Sequence, residues 1–190
     1  MAITAQDTYY VGNIKGDGHI YQQTFIDTYM KVAFCKLYDR KNAPVAADAL
    51  NSQVIPFFDS RGIPLLRVLT DRGSEYCGNR EHHEYALCLE LEDIAHARTK
   101  ARSPQANGIC ERHNKICNDE FYSVAFRRKV CRSVEEIQLD LDAWLAHYNN
   151  GRTHSGKHCY GKTPMQTFVD SIPLAREKVF GHDEPDGRGV

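Results

Sequence analysis

No apolar run in the 190-residue sequence approaches the roughly eighteen residues that a membrane helix needs, and Met1 to Asp7 offers neither a basic stretch nor an apolar one. The expectation is a soluble, cytoplasmic protein with no membrane partner. Glycine (13) and proline (7) are not in excess, which excludes a collagen and a low-complexity linker. Cys-x-x-Cys pairs are missing. The seven cysteines (35, 77, 88, 110, 117, 131, 159) are odd in number and scattered, so they read as reduced, mostly buried thiols. His113-x-x-x-Cys117 and His154-x-x-x-His158-Cys159 have ligand-like spacing but no partnering pair at finger distance, and structural zinc is not expected. Net charge is also lacking: 24 basic against 25 acidic side chains give −1, which alone offers no reason to expect nucleic acid.

The average conceals a gradient. Between Arg98 and Arg132 nine basic residues face only Glu111, Asp119 and Glu120, a local surplus able to attract a polyanion. Length suits one domain, with a core at 1–150 and an extension at 151–190 that packs on it or trails from it. Strand-forming residues at 8–14, 19–29 and 31–38, with a turn signal at Lys15 to Gly18, predict an antiparallel meander. From Ala43 to Phe58 the apolar period becomes helical, and Leu65 to Thr70 has the look of a buried parallel strand. A helix at 80–89 and a strand at 91–97 follow. Ser103-Pro104 suits a helix start, for a helix running to about Phe126, and Ser133 with Glu136 forms a capping box for the next. The order βββ-α-β-α-β-α-α is a mixed α/β layer fold.

Three carboxylates stand out by position. Asp7 lies at the start of the first predicted strand. Asp71 directly follows the apolar strand, at the carboxyl end where open α/β sheets gather their ligands. Glu111 sits two turns into the helix opened by Ser103, on one stripe with Asn107 and Lys115. Each also has an ordinary reading: Asp71 as a turn aspartate, Glu111 with Lys115 as an exposed helical ion pair. Asp27 is a rival to Asp7, and strand alternation does not choose between them.

Taken together, Asp7, then Leu69-Thr70-Asp71-Arg72-Gly73-Ser74-Glu75-Tyr76, then Ser103-Pro104-Gln105-Ala106-Asn107-Gly108-Ile109-Cys110-Glu111-Arg112, resemble the Asp-Asp-Glu catalytic core shared by retroviral integrases and insertion-sequence transposases. Tyr21 to Tyr29 resembles that family's second strand, in which the aspartate is usual but is not a metal ligand. Tyr148-Asn149-Asn150-Gly151-Arg152-Thr153-His154, followed by Gly161-Lys162-Thr163-Pro164, resembles the C-terminal signature of the bacterial transposases. The likeness spans residues 7–168. Two departures accompany it: 39 residues separate Asp71 from Glu111, a few more than usual, and the chain starts almost at its first aspartate, as an excised core or a truncated product would.

The resemblance implies a ribonuclease-H-like fold, a five-stranded mixed sheet with an antiparallel meander plus parallel strands and helices on both faces. It implies catalytic and metal-holding roles for Asp7, Asp71 and Glu111. Converging carboxylates repel unless cations neutralise them, and an all-oxygen set selects Mg²⁺ or Mn²⁺. Two ions about 3.5–4 Å apart are expected in the active complex, for phosphodiester hydrolysis and strand transfer during DNA integration. Lys100, Arg102, Gln105, Asn107, Arg112, Asn114 and Lys115 are expected at DNA, meaning mobile-element ends and target. A homodimer is expected, with the bacterial nucleoid as its place of work. Two alternatives remain: a structure-selective nuclease on the same fold, which would call on Asp27 or Glu75 as a fourth carboxylate, and a catalytically idle DNA-binding or dimerising remnant.

Overall fold

The computed structural model describes residues 2–14, 18–78, 83–99, 104–128, 133–156 and 158–180, with side chains except at 104–107, 128 and 174–180. The described residues form five strands, β1 (Ala2–Ile14), β2 (Gly18–Asp27), β3 (Ala33–Tyr38), β4 (Leu65–Thr70) and β5 (Ala95–Arg98), side by side in the order β3-β2-β1-β4-β5. The meander β1-β2-β3 is antiparallel, while β4 pairs with β1 and β5 with β4 in parallel. This is the mixed sheet expected from the sequence.

Helices cover both faces because the strands alternate. Ala2, Phe25 and Val68 point to one side, into a core shared with α1 (Ala43–Ala49), α2 (Ile55–Asp59) and α3 (Glu84–Leu91). Ala5, Ile26 and Cys35 point to the other, under α4 (Pro104–Cys117) and α6 (Val134–Asn150). The helical run expected at 43–58 is present but passes through a π-helical turn, Leu50–Val54, between α1 and α2. A second such turn, Asn118–Tyr122, joins α4 to α5 (Ser123–Arg128). Asn42 caps α1 by accepting from the Val45 N–H at 3.0 Å, and Ser133 caps α6 through the Glu136 N–H at 3.3 Å.

Three boundaries differ from expectation, each for a physical reason. β1 begins at Ala2, so Asp7 lies inside the strand: pairing with β2 extends back to Thr4 opposite Asp27, a long-range contact that strand composition does not reveal. β5 starts at Ala95, because Leu91 closes α3 largely in solvent and Asp93, at φ 53°, turns the chain. The extension carries a helix, α7 (Pro164–Phe180). Thr163 and Gln166 cap it reciprocally at 3.1 and 3.2 Å, with Pro164 at its first position. Phe168 of α7 is fully buried, with its ring 5.1 Å from that of Phe57. A large apolar side chain buried so completely is worth about 1.5–3 kcal/mol, enough to give the extension a reason to dock.

Candidate active site

Parallel pairing sets the first two carboxylates in step. Ala5 pairs with Leu69 across β1 and β4, and Asp7 and Asp71 each lie two residues further along. With the two-residue alternation of strands, both share the side of Ala5 and Leu69, which is the side covered by α4. Asp7 Oδ2 accepts from the Asn114 side-chain amide at 2.9 Å. Asp71 Oδ1 accepts from the Gly73 N–H at 2.8 Å, an Asx-type turn that turns the carboxylate back over the strand end.

The helix that supplies Asn114 also carries Glu111, which is exposed. Residues three apart on a helix share a side, so Glu111 stands one turn from the residue that holds Asp7. The buried Cys110 thiol records the same proximity: burial raises its pKa most, and the negative charges of Asp7 and Glu111 raise it further. Asn114 is itself fixed, its oxygen accepting from Thr24 Oγ1 at 2.7 Å and from Gln22 Nε2 at 3.2 Å. Gln22 is held in turn by the Tyr122 hydroxyl at 2.5 Å.

A cation lies among the carboxylates. Lys41 Nζ is 3.0 Å from Glu75 Oε1, and Glu75 is only 2% exposed. Partial burial works against the Lys41 charge. The Glu75 bond, with the fields of Glu75, Asp71 and Asp7, outweighs it and raises the pKa. Glu75 Oε2 is buried with no hydrogen-bond partner. It faces Asp71 across Gly73, where a Cβ would meet Glu75 Oε2 at 2.5 Å and Asp71 Oδ1 at 3.0 Å. Glycine is required there by close approach. Beneath the site, Tyr76 Oη lies 2.8 Å from Thr8 Oγ1 and donates to Gln23 Oε1 at 3.3 Å, and Gln6 Nε2 bonds Gln23 at 3.0 Å. Lys41 escaped the sequence reading, and Gln22, Gln23, Thr24 and Tyr76 stood inside the matched stretches without a role. Their signal is faint, consisting mainly of glutamines and a threonine at strand positions where apolar residues are usual.

Register sets Asp7 and Asp27 apart. Asp27 pairs with Thr4, three residues along β2 from Thr24, the partner of Asp7, and strand alternation puts the two carboxylates on opposite faces of the sheet. Its Oδ1 accepts from the Tyr29 and Met30 N–H groups at 2.9 and 2.6 Å, closing the β2–β3 turn. Of the residues expected at DNA, Arg112 and Lys115 are exposed on α4. Asn114 is instead buried, and its amide is spent on Asp7, Thr24 and Gln22, so it serves the site from inside. Lys100 and Arg102 lie outside the described residues, as do the side chains of Gln105 and Asn107.

The donor chemistry fits a hard cation: the oxygens of Asp7, Asp71 and Glu111 answer to Mg²⁺ or Mn²⁺, and Glu75 Oε2, buried without a hydrogen-bond partner, is a further oxygen facing Asp71. Among the described residues no three of His, Cys, Asp and Glu stand close enough together to hold an ion. Glu111 has the freedom of an exposed side chain on the helix that crosses Asp7.

A mixed sheet in this order, with carboxylates in step on β1 and β4 and a third on the crossing helix, defines the ribonuclease-H-like class. Residues 92–164 match the family model described as Integrase core domain. The chain is 29% identical over 168 residues to a protein of Spiroplasma virus SpV1-C74 provisionally named integrase ORF3, covering 84% of this chain and 44% of that one. It therefore spans less than half the length of that relative. Among solved structures it is similar to a chain of the simian T-cell lymphotropic virus intasome in complex with PP2A regulatory subunit B56 gamma (18% identity, TM-score 0.67, 99% of this chain, 56% of that one). The HTLV-2 integrase catalytic core domain in complex with magnesium, in its trimeric form, superposes with TM-score 0.63 (15% identity, 87% and 94% coverage). The catalytic core domain of BIV integrase does so with 0.66 (15%, 92% and 97%). The chain is thus similar in fold to integrase catalytic cores, and its residues 92–164 match the integrase core domain model.

Proposed function

We propose that the chain is the catalytic core of a DNA transposase or integrase, with Asp7, Asp71 and Glu111 as its metal-holding residues. The observation that carries this reading is the shared register of Asp7 and Asp71 beneath the helix bearing Glu111. Two Mg²⁺ or Mn²⁺ ions, when bound, would supply activation of the attacking oxygen and neutralise charge on the departing one. The chain's own part is positional. Asn114 fixes the rotamer of Asp7, the Gly73 N–H fixes that of Asp71, and α4 presents Glu111 from above. Arg112 and Lys115, with Lys100, Arg102, Gln105 and Asn107 nearby in sequence, would grip the DNA backbone, which makes affinity fall with salt. The reaction is in-line substitution at phosphorus. A water oxygen or a DNA 3′-hydroxyl forms the new P–O bond, the bridging P–O bond breaks, and the leaving oxygen takes up a proton. No covalent link to the protein is required.

Work on DNA in the bacterial nucleoid as a homodimer belongs to the same reading, and sedimentation of the chain tests the dimer. The experiment for the activity is Mg²⁺-dependent nicking and strand transfer on oligonucleotides carrying element ends. Asp71→Asn and Glu111→Gln should each lower it by about a thousandfold or more while circular dichroism is unchanged. Full activity in either variant removes the assignment. The placement of Glu75 facing Asp71 across Gly73 favours one second reading, a structure-selective nuclease using a fourth carboxylate. Loss of cleavage in Glu75→Gln, with branched DNA preferred over element ends, would select it.

A further inference from the structure

The stretch Tyr148 to His154, matched in the sequence likeness but unused by the carboxylates, folds against α4. Together they enclose a cleft of about 710 Å³, a volume in the range of ligand sites. Lys31, Arg112 and Arg152 line it, and among the described residues no carboxylate does. Arg152 is steadied from outside by Glu120, at 2.7 and 3.3 Å. The loop is pinned by His154 N–H to Lys162 O at 3.0 Å and Gly161 N–H to His154 O at 2.9 Å. This is a built wall.

The cleft also holds polar groups with nothing to bond. His113 lines it and is 2% exposed, yet neither ring nitrogen has a hydrogen-bond partner, and His154 Nε2 is in the same condition. An imidazole ring offers one donor and one acceptor when neutral and two donors when charged, and none of these is used within the protein. The hydroxyls of Thr153 and Ser155 stand at the exposed rim. Buried polar groups are ordinarily satisfied, so orphaned imidazoles beside three cations describe a site completed by an anion rich in acceptor oxygens. Arg112 directly follows Glu111, which puts this anion site on the helix that presents the third carboxylate.

We propose that this cleft binds a phosphate of the DNA backbone, gripping the strand next to the carboxylate site. The proposal rests on the reading of the chain as a DNA-processing core and deepens it. The cleft lies along the flank of α4 that carries Ile109, Arg112, His113 and Ile116, so it shares no residue with Asp7, Asp71 or Glu111. Binding there is separable from catalysis.

The test is performed on the full chain without divalent metal. Amide chemical shifts are followed by NMR while inorganic phosphate is titrated, then an element-end oligonucleotide is added as competitor. Phosphate should shift the amides of Arg112 and residues 152–156, and DNA should displace it. Lys31→Ala with Arg112→Ala should weaken DNA binding roughly tenfold and flatten the log–log salt slope by about one to two units, and the exposed Arg112→Ala alone should give about half of that slope change. Glu111→Gln should lose nicking while the phosphate shifts at 152–156 persist, which separates the two readings. Unmoved amides at 152–156, or wild-type affinity and slope in the double variant, overturn the proposal. Phosphate binding that DNA does not displace overturns it too, and assigns the cleft to a small phosphorylated ligand.

Discussion

The Asn114 side-chain amide donates to Asp7 Oδ2 at 2.9 Å while its own oxygen accepts from Thr24 and Gln22. One side chain thus ties α4 to β1 and β2, and it fixes the carboxylate on which the proposed metal site depends. Asn114→Ala takes from the buried Thr24 hydroxyl its 2.7 Å acceptor, while the Gln22 amide keeps its 2.7 Å bond to Thr24 Oγ1. The expected cost is about 1–3 kcal/mol by urea denaturation, with Mn²⁺ affinity falling as Asp7 loses its rotamer. Unchanged stability would show that Asp7 is held by something else.

Lys41 is the resident counter-ion of a crowded set of carboxylates. In Lys41→Met the buried Glu75 loses its partner, so the fold should weaken by about 1–3 kcal/mol, toward the low end because the lysine is half in solvent. The same change removes a positive charge from beside Asp7 and Asp71. Calorimetric Mn²⁺ binding should therefore tighten by about 1 kcal/mol. Weaker Mn²⁺ binding in this variant would mean that Lys41 helps to build the ion site.

Gly73 admits the carboxylates of Asp71 and Glu75 on either side of it. Gly73→Ala should destabilise by about 1–3 kcal/mol through overpacking. Adding Glu75→Ala relieves the closest contact, at 2.5 Å, so the double variant should be less destabilised than the sum of the two singles. Strict additivity in that cycle would place the cost of the alanine in the backbone alone.

Asp27 governs a pH dependence distant from the site. Burial raises its pKa from the ordinary 3.8 to about 6, against the opposing pull of the Met30 and Tyr29 N–H groups and of Lys31. The folded state holds this proton more firmly than the unfolded chain does. The group therefore favours folding in acid, and that advantage is lost as pH rises through about 6. Asp27→Asn keeps an oxygen for the two turn amides and removes the buried charge. Unfolding free energies should show it more stable than the parent by about 1–3 kcal/mol at neutral pH, with the gap closing below pH 4. An Asp27→Asn protein less stable at pH 7 contradicts the account.

Local chemistry made much of this protein legible in advance. The meander, the helical period from Ala43, the buried strand at Leu65 to Thr70 and the Ser133 cap follow from side-chain branching, alternation and capping, all of which act within a few residues. The chain itself also singled out Asp71, just past a strand end, and Glu111, on a helix that closes over it. Helix α7 carries the same kind of local signal, since Thr163-Pro164-Met165-Gln166 is a capping box with proline at the first position.

Sequence alone determined which residues were available and which elements would carry them. Only the tertiary structure set Asp7 and Asp27 on different faces of the sheet, because strand register is fixed by pairing across the sheet and a carboxylate's own neighbours say nothing about it. The same holds for Asn114, drawn inward by Thr24 ninety positions away, for Lys41 meeting Glu75, and for the cleft between α4 and the 152–156 loop. These groups meet through packing between distant segments, where burial converts a weak surface attraction into a strong requirement for a partner.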